Sequence, residues 1–298
     1  MRLEALTIER LKDFLDYCIK YRFEHDESFL YDSDLEQFEI DENNPTYLLV
    51  NDQNELEGVA SLMIQPYLTD QKKGRFRIMH VAEPNFEAYK LLNDSIMKHT
   101  TGLNHINLFI PEAKIDVREI LTRLGYSIDR YSWVLVRDDI EVPAPVFPEG
   151  FELRNFRPGK DEWAWIRVRN AAFATLRGSE TPSTEEDVAE LLKHEDYVEG
   201  GMMMLWKGDE PVGVIRAGKE TEDDKNYAFI GPLAILPEYH GMGLGKGLLR
   251  ASLRFSKSVG LPYGMLCVNA ENEKAAELYL KEGFTKLAVM VNYRIDFK

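Results

Sequence analysis

The sequence predicts an α/β protein made of two domains in tandem. Three observations carry that prediction. Strand-like and helix-like stretches alternate from Phe151 onward, the same order recurs in weaker form before residue 137, and the stretch between them, Asp138 to Glu149, holds three prolines and four acids. A segment of that composition reads as an extended linker. The expected boundaries are a first domain at 1–137, a linker at 138–150 and a second domain at 151–298. A chain of 298 residues has room for two domains, and a hydrophobic content of 44% supports sizeable cores.

The second half reads in order as follows. Phe151 to Asn155 is a strand, and a helix follows Pro158, from about Asp161 to Ala174. A second helix covers about Glu185 to His194. Met202 to Trp206 and Pro211 to Arg216 flank Gly208-Asp209-Glu210, a hairpin signal. Tyr227 to Ile235 is the next strand. Leu244, Leu248, Ala251 and Phe255 recur at helical spacing and form a buried stripe. Leu266-Cys267-Val268 is a short buried strand, and Leu287 to Ile295 is expected to close the second sheet.

The most informative stretch is Pro237-Glu238-Tyr239-His240-Gly241-Met242-Gly243-Leu244-Gly245-Lys246-Gly247. Glycine at 241, 243, 245 and 247 lets backbone N–H groups approach a ligand without obstruction by a Cβ. Because the loop opens into a helix, it adds the unpaired amides and positive dipole end of the first turn. Together these features suit a phosphate. The stretch fails the spacing of a P-loop and that of a dinucleotide fingerprint. Downstream lies Asn272-Glu273-Lys274-Ala275-Ala276-Glu277-Leu278-Tyr279, followed by Gly283-Phe284. Asn272 and Tyr279 are seven apart, about two helical turns.

His240-Gly241-Met242-Gly243-Leu244-Gly245 resembles the acyl-CoA loop of the GNAT superfamily of N-acyltransferases, [Q/R]-x-x-G-x-[G/A], with His240 in place of Arg or Gln. N-x-x-A-x-x-L-Y ending in G-F is similar to the family's second cofactor segment, in the right order and separated by a helix and a strand. The resemblance implies two tandem GNAT-like domains, each a mixed twisted sheet with helices on both faces. It implies acetyl-CoA as co-substrate, with amides from Gly241 through Lys246 on the pyrophosphate and the backbone of Ala234, Ile235 and Leu236 pairing with the pantetheine arm like an added strand. Asn272 joins the cofactor-binding set. Tyr279 becomes the catalytic acid to the leaving CoA thiolate, since a phenol can donate to sulfur. The expected activity is N-acetyl transfer to a primary amine, on a small molecule or a peptide, by direct attack on the thioester. Two-domain family members include mycothiol synthase-like enzymes, which this chain resembles in architecture.

The first half repeats the plan in degenerate form. Gly58-Val59 aligns with Gly213-Val214, and Leu121 to Tyr126 aligns with Tyr279 to Phe284. Where the second half has its glycine loop, the first has Val81-Ala82-Glu83-Pro84-Asn85-Phe86. Glu83 repels phosphate and Pro84 lacks an N–H. Leu121 stands at the place of Tyr279 and Lys114 at that of Asn272. This half is expected to lack CoA, and the chain to be a monomeric pseudo-dimer, its oligomeric state being open.

The general base is not fixed by the sequence. The strand before the glycine loop carries no carboxylate, which leaves Glu271, Glu180, His240 or a water relay. The loop from Phe173 to Pro182 is the family's acceptor wall, and Trp163, Trp165 and Trp206 are either its lining or core. Lys246, Arg250, Arg254 and Lys257 form a basic helix stripe that either supports the CoA phosphates or is a solvated face.

A net charge of −15, with 16 Lys and Arg against 28 Asp and Glu in the first 150 residues, disfavours nucleic-acid and anionic-membrane partners. Nine of those acids fall between Glu24 and Glu42. There is no membrane-length apolar run, and the N-terminus lacks a signal-peptide core. Cys18 and Cys267 are read as buried free thiols in a reducing, cytoplasmic setting, and no Cys/His spacing suggests a metal. The alternative to an enzyme is a non-catalytic CoA-binding module that senses acyl-CoA or scaffolds a partner.

Overall fold

The structure is a computed structural model that describes residues 1–64, 72–139, 141–176, 181–222 and 225–297. The chain divides into two compact units. One is Met1–Trp133 with Asn269–Glu271 and Ala288–Lys298; the other is Val134–Val268 with Asn272–Leu287.

In the first unit, β1 (Arg2–Ala5), β2 (Thr46–Val50), β3 (Leu56–Met63) and β4 (Lys73–Val81) pair antiparallel in sequence order. β4 then runs parallel to β5 (His105–Pro111) over Lys73 to Arg75 only. The far side of β5 is closed by the end of the chain: Met290 to Asp296 of β12 (Thr285–Asp296) pairs antiparallel with Pro111 to His105. The sequence expectation gave this strand to the second sheet. Its alternation of apolar residues fits either sheet, and Val291 and Tyr293 sit in the first unit's core beside Leu108 and Ile110. Helices α1 (Leu11–Tyr21) and α2 (Asp32–Glu36) cover one face through Phe14, Tyr17, Cys18 and Leu35. Helices α3 (Phe86–Ile96) and α4 (Ile115–Arg123) cover the other through Tyr89, Leu92, Val117 and Leu121. Within the acidic run Glu24 pairs with Lys114, Asp26 with Arg75 and Asp32 with Arg22, while Glu36, Glu39, Asp41 and Glu42 are exposed.

In the second unit, β7 (Phe151–Asn155), β8 (Met202–Lys207), β9 (Glu210–Glu222) and β10 (Lys225–Ile235) form an antiparallel series. β10 then meets β11 (Tyr263–Asn269) in parallel. Helices α5 (Glu162–Phe173) and α6 (Glu185–Leu191) lie on one face, where Trp165, Val168 and Val188 pack on Met202, Met204, Val214 and Ala234. Helix α7 (Leu244–Ser258) covers the opposite face, with Leu248 against Gly213. Helix α8 (Glu273–Lys281) follows β11.

Each unit repeats the other's local geometry. A helix ends in a glycine at positive φ before the next strand in both, Gly125 at 94° before β6 (Ser127–Arg137) and Gly283 at 89° before β12, where only glycine is at ease. The next amide turns back onto the helix in both: Tyr126 N–H donates to Leu121 O, and Phe284 N–H to Tyr279 O, each at 3.1 Å.

The proline-rich segment lies against α7. Val142 is buried, its carbonyl accepts from Arg254 Nη1 at 2.9 Å, and Asp139 pairs with Lys257. A Cβ on Gly247 would stand 2.5 Å from the Phe147 ring, so glycine at 247 is needed for the segment to lie on α7. The thiols differ from expectation as well. Cys18 is buried, and burial pushes its pKa up, but Cys267 is exposed. The outward side of β11 alternates with the buried Leu266 and Val268, which a three-residue apolar run conceals.

Candidate active site

The site is built from a strand that leaves its neighbour. β10 and β11 pair only at Tyr227–Tyr263, Ala228–Gly264 and Phe229–Met265. β10 keeps its bonds to β9 as far as Ile235, with a bulge between Ile230 and Leu233. Beyond the Phe229 row one edge of β10 therefore faces an open cleft. Strand geometry decides which groups it offers. Leu236 N–H donates to Val212 O at 2.9 Å, so it points toward β9. Alternation turns Ala234 the same way, and turns Leu233 and Ile235 toward the cleft. His240 Nε2–H donates to Ile235 O at 3.0 Å, from the side that alternation requires. Within the Ala234–Leu236 backbone expected to pair like an added strand, the amide on the cleft edge is that of Ile235. The Leu233 amide lies on the same edge, because the bulge shifts the register by one.

The loop follows. Gly241 and Gly243 both have positive φ, 82° and 77°, and a Cβ on either would meet nothing within 4 Å. These glycines serve conformation and an open approach, not tight packing. Gly243 is the N-cap of α7 and supplies no side-chain cap; the first turn has no acid. The first intrahelical bond runs from Gly247 N–H to Gly243 O at 3.1 Å. The amides of Leu244, Gly245 and Lys246 precede it and lack intrahelical acceptors. Met242 is exposed, as is Lys246, so both stand at the open side of the loop. The first unit contrasts at the same place. Its helix α3 is capped by Asn85, whose side chain accepts from Ala88 N–H at 2.9 Å. The β4–β5 cleft there is occupied by the unit's own side chains: His25 Nε2–H donates to Met79 O at 2.7 Å, and Tyr17 bonds His80 at 2.8 Å. A titration of the full chain with acetyl-CoA is accordingly expected to reach one equivalent, and calorimetry giving two would overturn this contrast.

Tyr279 lies on α8, 8% exposed, with its ring edge-on to Phe284 at 5.8 Å between centroids. Burial pushes its pKa up to about 12. The hydroxyl makes no hydrogen bond to another described residue, so it is a neutral donor with a free proton. Asn272 caps α8 and accepts from Ala275 N–H at 3.3 Å. Its carbonyl oxygen is thus engaged in holding the helix that carries Tyr279.

The basic stripe resolves in favour of structure. Arg250 makes a two-pronged pair with Glu282 at 2.7 and 2.8 Å, Arg254 holds Val142 O, and Lys257 holds Asp139. Lys246 alone of the four makes neither an ion pair nor a side-chain hydrogen bond among the described residues. Arg250→Ala should therefore lower stability by roughly 1–3 kcal/mol, because Glu282 loses a charge-assisted partner while nearly buried. Acetyl-CoA affinity should stay within about threefold in calorimetry. Trp165 and Trp206 are core, and Trp163 is 53% exposed. The acceptor-wall loop and Glu180 fall partly or wholly in 177–180, outside the described residues; on its near side Asn170 grips Ser183 through bonds of 2.8 and 2.9 Å. Glu271 is exposed, in the segment that groups with the first unit. No group of three or more His, Cys, Asp or Glu among the described residues is placed to hold a metal, and no helix among them is long and apolar enough to cross a membrane.

Residues 165–284 match the family model described as Acetyltransferase (GNAT) family. This stretch of the chain is a GNAT domain. The splayed strand, the open glycine turn and Tyr279 all lie inside it. Over 157 residues the chain is 32% identical to a mycothiol acetyltransferase of Streptomyces bingchenggensis (strain BCW-1), covering 53% of this chain and 50% of that protein. The chain thus spans about half the length of that relative. A mycothiol acetyltransferase of Thermobispora bispora is 29% identical over 83% of each chain, so its match reaches beyond the GNAT domain into the first half. In fold, the chain resembles a GCN5-related N-acetyltransferase from Sphaerobacter thermophilus (TM-score 0.74, 20% identity, 99% of this chain and 95% of that one). It also resembles a tandem GNAT protein from the clavulanic acid biosynthesis pathway (TM-score 0.72, 13% identity, 99% and 98%). Both likenesses extend over nearly the whole chain and concern its fold.

Proposed function

We propose that the chain is an acetyl-CoA-dependent N-acetyltransferase acting on a primary amine of a small molecule or peptide, with the second unit doing the chemistry. The observation that carries this reading is the uncapped first turn of α7, set at the end of a strand whose Leu233 and Ile235 amides face a cleft. Amides from Gly241 through Lys246 take the pyrophosphate, where the dipole end of α7 favours negative charge. The cleft edge of β10 pairs with the pantetheine arm and brings the thioester toward the Phe229–Met265 row. A cleft-facing amide beside the bulge polarises the thioester carbonyl and stabilises the oxyanion. Tyr279 donates to the sulfur as the C–S bond breaks. The mycothiol acetyltransferase relatives favour an amine on a small polar conjugate over a protein amine.

Binding without turnover is the second reading. It is favoured by the absence of a carboxylate on β10 and by the engagement of His240 with Ile235 O. Thiol release from acetyl-CoA with glucosamine, alanine amide and spermidine as acceptors separates the two. The enzyme reading expects release that depends on an amine and matches amide formed. Release no faster than hydrolysis with every amine would leave a binding module.

A further inference from the structure

The proton acceptor missing from β10 has a candidate on the neighbouring face. His194 Nδ1–H donates to Asp196 Oδ1 at 2.8 Å, and Arg216 holds the same carboxylate. Arg216 is 5% exposed, and its Nε is buried without a partner, so this cation is fixed beneath Asp196. The pair lies flat on β9 because residue 218 is glycine. A Cβ there would stand 2.7 Å from Asp196 Oδ2 and 3.0 Å from Arg216 Nη1. The backbone is pinned as well, since Lys219 N–H donates to Asp196 O at 2.7 Å.

Register ties this cluster to the reaction site. Gly218 pairs with Phe229, and Phe229 pairs with Met265 in the last row before β10 and β11 part. The Asp196 carboxylate thus sits over the row where the cleft opens, about two strand spacings, or roughly 10 Å, from its centre. The face is also fixed. Arg216 pairs with Met202, whose side chain lies under α5 and α6, whereas α7 covers the other face. An amine bound on the α5–α6 face would lie on the same face of the sheet as the Asp196 carboxylate and the His194 it holds.

We propose that His194, held by Asp196 and Arg216, takes the proton from the acceptor amine. This rests on the N-acetyltransfer reading above. The Nδ1–H bond to a carboxylate leaves Nε2 as the bare nitrogen of the neutral ring and orients it, and the side chain is 52% exposed, open to an acceptor or a bridging water. The acceptor ammonium gives one proton to Nε2, directly or through a water. Its freed lone pair attacks the thioester carbon, a C–N bond forms, the C–S bond breaks, and the electron pair leaves on sulfur. The second nitrogen proton, lost as the amide forms, passes through water to the Tyr279 oxygen, which has given its own proton to the leaving sulfur. The net proton, on His194, returns to solvent. The charged groups beside it are Asp196 and Arg216, with Lys193 (paired with Glu190) and Glu195 adjacent in sequence.

The test compares wild type, His194→Gln, His194→Gly and Asp196→Asn for acetyl-CoA affinity by calorimetry and for thiol release with the same three amines across pH. We expect His194→Gln to lower kcat roughly 10²-fold or more, with acetyl-CoA affinity unchanged within threefold. The acid limb of kcat/KM belonging to the imidazole should vanish and only that of the acceptor amine remain. Added imidazole should partly restore His194→Gly, and Asp196→Asn should fall between wild type and His194→Gln. Normal wild-type turnover with an unaltered His194→Gln, or loss in His194→Gly without rescue and with an unchanged pH profile, overturns the assignment and leaves the acetyltransferase reading standing. A wild type that binds acetyl-CoA but acetylates none of the amines overturns both.

Discussion

Gly243→Asp is expected to abolish acetyl-CoA binding while the chain still folds. Gly243 has φ 77°, and a Cβ there meets nothing within 4 Å. The folding cost is limited to the left-handed conformation, about 1–2 kcal/mol for most side chains and less for aspartate. The functional cost is larger, because a carboxylate then stands at the open amides of Leu244, Gly245 and Lys246. It competes for those amides and repels phosphate. A loss of at least about 100-fold in affinity, roughly 2.7 kcal/mol, should appear in calorimetry. Gly243→Ala separates conformation from charge and should lose much less. Unchanged affinity in a folded Gly243→Asp would place the phosphate site elsewhere.

Tyr279→Phe should lower turnover roughly 10²–10⁴-fold with little change in acetyl-CoA affinity. The ring contact with Phe284 survives, and no described partner is left unsatisfied, so stability should hold. The pKa near 12 sets the pH behaviour. A phenol raised above its ordinary value stays protonated across the working range, so any alkaline loss of activity below about pH 10 has another origin. Against a thiol near 8.5, complete proton transfer from such a phenol is uphill by about 5 kcal/mol in isolation. The gap narrows in place, because the burial that raises Tyr279 also raises a thiolate leaving beside it. Weaker binding with undiminished saturated turnover would make Tyr279 a binding residue instead.

The glycine turn and the capped helix of the candidate site were legible in the sequence because they lie in short contiguous patterns. Glycines at 241 and 243 announce positive φ, and Asn272 to Tyr279 announces a capped helix with a tyrosine on it. The alternation of strands and helices was legible for the same local reason. What escaped depends on pairing across distant segments. Whether Leu233 or Ala234 faces the cleft is decided by a one-residue bulge against β9. Whether Arg250 and Arg254 serve phosphate or structure is decided by Glu282 and Val142. The last strand reads the same whichever sheet it joins, and only its pairing with β5 places it. His194 and Asp196 look like an ordinary polar turn until Gly218 and Arg216 are seen beneath them. The degenerate first half carried a usable signal, since Asn85 before Phe86 is a readable helix cap and the second half has glycine in its place.

The most direct measurement is a crystal structure of the full chain with acetyl-CoA bound. The account predicts pyrophosphate oxygens within hydrogen-bond distance of amides between Gly241 and Lys246, a pantetheine arm paired with Leu233 and Ile235, and the thioester sulfur beside the Tyr279 hydroxyl. Phosphates bound away from the first turn of α7, or a thioester outside the cleft between β10 and β11, would contradict it.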